Sequence, residues 1–107
     1  MEINVDARED CTIIKFNKSK LLGTEAVEFQ DSVLNTLDKG IHSIVVDLST
    51  VEYVTSWAIG MLVHAFTTSS NRNAQLSLVG VTQRVMDILS KVKLDKIFLI
   101  RESIWIL

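Results

Sequence analysis

The six residues SIVVDL, Ser43 to Leu48, constrain the fold more than any other stretch. Four neighbouring apolar or small side chains followed by an acid are too short a run for a buried helix. They have the pattern of a central strand covered on both faces. Such a strand needs layers on either side, and the flanking sequence supplies helical periodicities. Thr24 is a candidate N-cap for a helix over Glu25 to Asp38, with Glu25 and Glu28 in the dipole-favoured first turns and Val27, Val33, Leu34 and Leu37 as its buried stripe. Gly40 closes it. After the central strand, Ala58, Met61, Leu62, Ala65 and Phe66 recur at i, i+3, i+4 and i+7, with Ile59 and Val63 widening the apolar face.

Further strands are expected at Cys11 to Phe16, Gln75 to Val79 and Ile97 to Ile100. Asn17 to Gly23 and the polar TSSNRN, Thr68 to Asn73, read as loops. Thr82 is a second N-cap, ahead of Val85, Met86, Leu89 and Val92, with Lys91 and Lys93 at the C-terminal end. The final RESIWIL is ambiguous between a returning edge strand and a helical tail. The order βαβαβαβ implies an α/β domain, 1–107, with at least part of its sheet parallel.

A chain of 107 residues, 48% hydrophobic and 22% charged, builds one core and not two. The net charge of −2 and the scattering of the basic residues argue against a nucleic-acid groove. No apolar run approaches the ~20 residues of a membrane-spanning helix, so no membrane insertion is expected. Cys11 is the single cysteine, which excludes an internal disulfide; with no signal peptide, a cytoplasmic location is expected. Cys11 itself reads as a small buried hydrophobe.

A catalytic reading fails on inventory. His42 and His64 have no metal-ligand spacing between them or with Cys11, and neither Gly-rich phosphate cradle is present. Asp47 and Glu52 could meet at a strand end, yet no partner acid or base has a clear role. No enzyme activity, metal or cofactor is expected.

The feature left over is VEYVTSWAIGML, Val51 to Leu62, where two adjacent hydroxyls, Thr55 and Ser56, stand at a strand-to-helix corner. One hydroxyl suffices to cap a helix. With Thr55 in that role, Ser56 occupies the first helical position with its side chain free to point outward. A phosphate there would carry about −1.5 to −2 charges against the positive end of the helix dipole, so the fold would tolerate it.

The stretch IVVDLSTVEYVTSWAIGMLVHA resembles the signature of STAS domains, named for sulfate transporters and anti-sigma-factor antagonists. Asp47, Leu48 and Ser49 match its D-L-S, Tyr53 its aromatic residue, Ser56 the serine of its D-S-S-G-L-G-like corner and Gly60 the last glycine. LSLVGVTQRVMDILSKVKLDKIF, Leu76 to Phe98, is similar to the later strand, glycine turn and helix. The likeness spans roughly residues 9 to 100.

The resemblance implies a mixed sheet of four or five strands packed with helices. It also implies an anti-sigma factor antagonist that binds an ATP-dependent serine kinase doubling as anti-sigma factor. Phosphorylation at Ser56 would end that binding and a serine phosphatase would restore it. The expected partner contacts are Lys20, Leu21, Thr55, Ser56 and Trp57. Thr55 stands where the family usually has aspartate, making it a second possible acceptor, and NKSKLLG, Asn17 to Gly23, lacks the G-x-L-D pattern. Trp57 is either an anchor for the partner or a core residue. The alternative function is an unphosphorylated STAS scaffold, or a subunit of a signalling or lipid-transport assembly.

Overall fold

The computed structural model describes residues 2–101. Its strands are β1 (Ile3–Ala7), β2 (Thr12–Phe16), β3 (Lys20–Leu21), β4 (Ser43–Asp47), β5 (Tyr53–Val54), β6 (Gln75–Val79) and β7 (Leu99–Arg101). The helices are α1 (Ala26–Asp38), α2 (Ser56–Asn71) and α3 (Gln83–Lys91). Five strands form one mixed sheet in the order β1-β2-β4-β6-β7. β1 is antiparallel to β2, and the other neighbours run parallel. A second, two-stranded sheet pairs β3 with β5, also in parallel.

The SIVVDL run lies at the centre, as its composition requires. Ile44, Val45 and Val46 are all fully buried, although successive side chains point to opposite faces. The register places Ile14, Val46, Leu78 and Ile100 in one row across the sheet. Ile14, Val46 and Leu78 share a continuous core with Phe29 and Val33 of α1, Ala58 and Leu62 of α2, and Val85 and Leu89 of α3. On the opposite face Ile13, Val45 and Val79 form a smaller cluster. Cys11 packs against its edge, half-buried where full burial was expected.

Several expectations are corrected. The polar start contains β1, an edge strand whose residues Ile3, Asn4, Val5, Asp6 and Ala7 do alternate apolar and polar, although only Ile3 is buried. The stretch read as a loop from Asn17 to Gly23 contains β3. α1 buries Phe29, Val33, Thr36 and Leu37, whereas Val27 is 76% exposed and Leu34 lies at the surface. The stripe is therefore rotated toward Phe29, whose ring meets Phe16 at a centroid distance of 5.2 Å.

α2 continues through Asn71 instead of stopping at Thr68, because Ser69 is buried against the core and tertiary packing overrides weak propensity. The last strand starts at Leu99, two residues later than expected, and Val92 is half-exposed just beyond α3. Of RESIWIL only Arg101 is described, and it ends β7; the choice between edge strand and helical tail lies outside the described residues.

Each βαβ crossover returns its helix N-terminus to the C-terminal edge of the parallel strands, where open α/β sheets gather their binding loops. Hydroxyls tie these loops together. Thr50 Oγ1 donates to the Phe16 carbonyl at 2.7 Å, and Thr82 Oγ1 donates to the Val51 carbonyl at 3.0 Å while accepting from Val85 N–H at 3.3 Å. Gly80 takes φ +67°, and a Cβ there would fall 2.8 Å from Ser49 Cβ and 3.0 Å from Ser49 Cα. The turns after β4 and β6 therefore touch backbone to backbone.

Candidate functional site

The corner at the start of α2 is built around Thr55, the residue that leaves the extended conformation (φ −83°, ψ 165°) as N-cap. Its Oγ1 accepts from Ala58 N–H at 3.1 Å and donates to the Leu22 carbonyl at 2.9 Å. The Thr55 N–H donates to the Leu21 carbonyl at 3.1 Å. The threonine thus caps its helix and pins the β3–α1 turn at the same time. Replacing it with valine, which keeps the shape and removes both hydroxyl bonds, is expected to destabilise the fold by about 1–2 kcal/mol. Urea unfolding of Thr55→Val measures this directly, and an unchanged midpoint would deny the hydroxyl its structural role.

Ser56 is the first helical residue and its side chain is exposed. The positive end of α2 lies behind it. Trp57 follows, 79% exposed, which removes the alternative of a core residue. The opposite correction applies to Leu21. Expected at the partner surface, it is fully buried in the core, because its pairing with Val54 turns both side chains inward.

Leu22, one residue later, is 41% exposed at the corner. The sequence offers Leu22 together with Lys18, Lys20 and Leu21 in place of the G-x-L-D contact pattern, without separating its exposed side chain from the buried Leu21. Lys20 is exposed on β3 and lines a cleft of about 460 Å³ with Tyr53, Arg84, Ile88 and Lys91. The structure therefore brings Thr55, Ser56 and Trp57 together with Leu22, while Lys20 serves the neighbouring cleft.

The turn that meets the corner is held from below. Thr24, the expected cap of α1, is exposed and makes no cap; Glu25 occupies the N-cap position with helical backbone and no side-chain cap bond. The Glu25 carboxylate points back, accepting from Gly23 N–H at 3.0 Å and from the Lys18 ammonium. Lys18 also lies 3.6 Å from Glu2.

Burial alone would push the Glu25 carboxyl up. The hydrogen bond from Lys18, the backbone N–H groups of Glu25 and Gly23, and the Lys18 charge outweigh it and hold the group below its ordinary 4.5. The hydrogen bond to Glu25 raises Lys18 above its ordinary 10.5, although desolvation acts the other way.

A depressed carboxyl contributes stability that is complete above 4.5 and disappears as pH falls through the lower folded value. The raised lysine contributes below 10.5 and its share disappears as pH rises through the higher folded value. The stability difference between the wild type and Glu25→Gln is therefore expected to be flat from about pH 8 to pH 5 and to shrink below that. Urea melts across this range test it, and a difference independent of pH in acid would show that the charge of Glu25 contributes nothing.

Asp47 acts locally, its Oδ1 accepting from Ser49 N–H at 2.9 Å to close the turn after β4. Among the described residues no group of three or more His, Cys, Asp or Glu side chains could hold a metal ion. No helix of the described residues is long and apolar enough to cross a membrane.

The family model of the STAS domain matches residues 2–104, so the chain belongs to the STAS domain family. Among solved structures it is similar to TM1081, a Thermotoga maritima protein designated a putative anti-sigma factor antagonist. Its crystal structure aligns at 27% identity with a TM-score of 0.78, covering 96% of this chain and 88% of that one. It also shares its fold with an anti-sigma-factor antagonist (STAS) domain protein from Planctomyces limnophilus, at 20% identity and a TM-score of 0.81 over 96% of this chain and 91% of that one. The phosphorylated form of the Bacillus cell fate determinant SpoIIAA aligns at 8% identity with a TM-score of 0.71, over 94% and 92% of the two chains. A comparison with curated protein sequences finds no match.

Proposed function

We propose that this STAS domain is a partner-switching antagonist. Unphosphorylated, it docks through the α2 corner onto a serine kinase that doubles as an anti-sigma factor. Phosphorylation of Ser56 ends the association, and a serine phosphatase restores it. The observation that carries this reading is the division of labour between the two hydroxyls: Thr55 is committed to two structural hydrogen bonds, whereas Ser56 is exposed at the helix start. The likeness to TM1081, designated an anti-sigma factor antagonist, supports the class of partner. The SpoIIAA fold, described in both unphosphorylated and phosphorylated forms, supports the chemistry of the switch.

The group transferred is the γ-phosphoryl of ATP. Ser56 Oγ attacks phosphorus, the bond to the β-phosphate oxygen breaks, ADP leaves, and the hydroxyl proton passes to a base of the kinase. This chain supplies only the acceptor and its presentation. Incubation with the cognate kinase and ATP is expected to add one phosphate, mapped by mass spectrometry to Ser56. Phosphate on Thr55, or none, sinks this reading.

The second reading, a permanent scaffold or transport-assembly subunit, is favoured by one feature, the threonine at 55 where the family pattern usually has an acid. A tight complex with no phosphate incorporation would select it.

Trp57 supplies the apolar anchor of the docking surface. Trp57→Ala is expected to weaken partner binding by at least about tenfold, since exposed tryptophans that become buried dominate many interfaces. The unfolding free energy should move by less than about 0.5 kcal/mol, because the ring is already in solvent. Equal losses in binding and folding would contradict this.

A further inference from the structure

Gly23 is the point where the first loop meets the corner. It takes φ +101°, and a Cβ there would lie 2.9 Å from Trp57 Cβ and 3.3 Å from Ala58 N, so the turn rests directly on the start of α2. Two groups fix it in place. Thr55 Oγ1 holds the Leu22 carbonyl from the α2 side at 2.9 Å, and Glu25 Oε1 holds the Gly23 N–H from the α1 side at 3.0 Å. Glu25 is itself buried at 5% exposure and anchored by Lys18, which reaches it from the loop between β2 and β3.

We infer that Lys18 and Glu25 are positioning residues for the docking corner: their ion pair seats the Leu22–Gly23 turn against Trp57 and thereby sets partner affinity from beneath the contact surface. The inference deepens the antagonist reading and rests on it for the docking role. A buried ion pair is a poor source of net stability, because desolvation offsets attraction; its best-attested use is to select one arrangement among several. Here the arrangement selected is that of two exposed apolar side chains, Leu22 and Trp57, on neighbouring elements. Without Glu25, the Gly23 N–H loses its acceptor and the Lys18 ammonium retains only the more distant Glu2. The turn can then leave Trp57 while the five-stranded sheet, to which it does not belong, is untouched.

The test has a local arm that needs no partner. In Glu25→Ala, hydrogen exchange at the Gly23 amide is expected to accelerate at least about tenfold relative to the core amides of Val46 and Leu78, since only local opening is affected. The Trp57 indole resonance, assigned with Trp105→Phe, should shift. Glu25→Gln keeps an acceptor for Gly23 and should recover most of the protection. Lys18→Met, a milder change, should move the same two signals and carries the measurement if Glu25→Ala does not fold.

In the second arm, both non-conservative variants are expected to bind the kinase about tenfold more weakly, a difference of about 1.4 kcal/mol. Wild-type exchange and an unshifted Trp57 signal in the variants would overturn the inference. So would shifted local signals with unchanged affinity. If the wild type itself binds no such kinase, the antagonist reading fails instead, and the exchange data still decide whether the pair positions the turn.

Discussion

Ser56→Asp is expected to weaken binding of the kinase by about a hundredfold while leaving the thermal midpoint of the free domain within about 2 °C of wild type. The two halves of this result have one electrostatic origin. In the free domain the new carboxylate stands in water at the first turn of α2, where the unpaired N–H groups favour an anion by a few tenths of a kcal/mol. Folding therefore gains slightly or not at all. In the complex the same charge would be enclosed beside Trp57, and an enclosed charge without a partner costs about 2–5 kcal/mol. A phosphate, with up to twice the charge, should exceed the mimic. Ser56→Ala should retain binding and lose the response to ATP. Calorimetric titration of the three proteins measures this, and a Ser56→Asp variant that binds like wild type would remove the physical basis of the switch.

Phe29→Ala is expected to be the most damaging simple truncation on α1, at about 3–5 kcal/mol. The ring is fully buried and packs at an angle of 47° on Phe16 of β2, so its removal leaves a cavity between the helix and the sheet. Against a total stability of about 5–15 kcal/mol for a domain, that is a large fraction. Val27→Ala, two residues earlier on the same helix, should cost less than about 0.5 kcal/mol because Val27 is 76% exposed. Urea unfolding of the pair reads the rotation of α1 directly. Similar losses at both positions would contradict that rotation.

The same contrast shows where the sequence was legible. SIVVDL declares itself by continuous apolar character and Gln75–Val79 by Leu76, Leu78 and Val79 ahead of the turn at Gly80, and both lie where expected. The threonine caps at Thr55 and Thr82 were equally readable, since a hydroxyl just ahead of an apolar period has a defined backbone partner. The rotation of α1 was legible only in the exact spacing: Phe29, Val33 and Leu37 recur at i, i+4 and i+8, whereas Val27, six residues before Val33, falls off that face.

β1 and β3 were harder to read, for other reasons. The two-residue pairing of β3 leaves no period in the chain, whereas β1 does alternate from Ile3 to Ala7 but over a stretch so short and so exposed that the polar residues around it mask the signal. At the candidate site, the hydroxyl pair and Trp57 could be found from order alone. The inward turn of Leu21 and the service of Glu25 to Gly23 depend on elements far apart in sequence. Glu25 in particular looks like an ordinary acidic first-turn residue, and its backward reach toward Lys18 requires the fold.

Thr55 uses its hydroxyl in both directions, giving a hydrogen bond to Leu22 and taking one from Ala58. A carboxylate at that position could replace only the second bond, and it would set a charged oxygen against the Leu22 carbonyl. Restoring the acid usual in the family pattern would therefore push the two loops apart, so the threonine at 55 and the present path of the first loop form a matched pair that neither could leave alone.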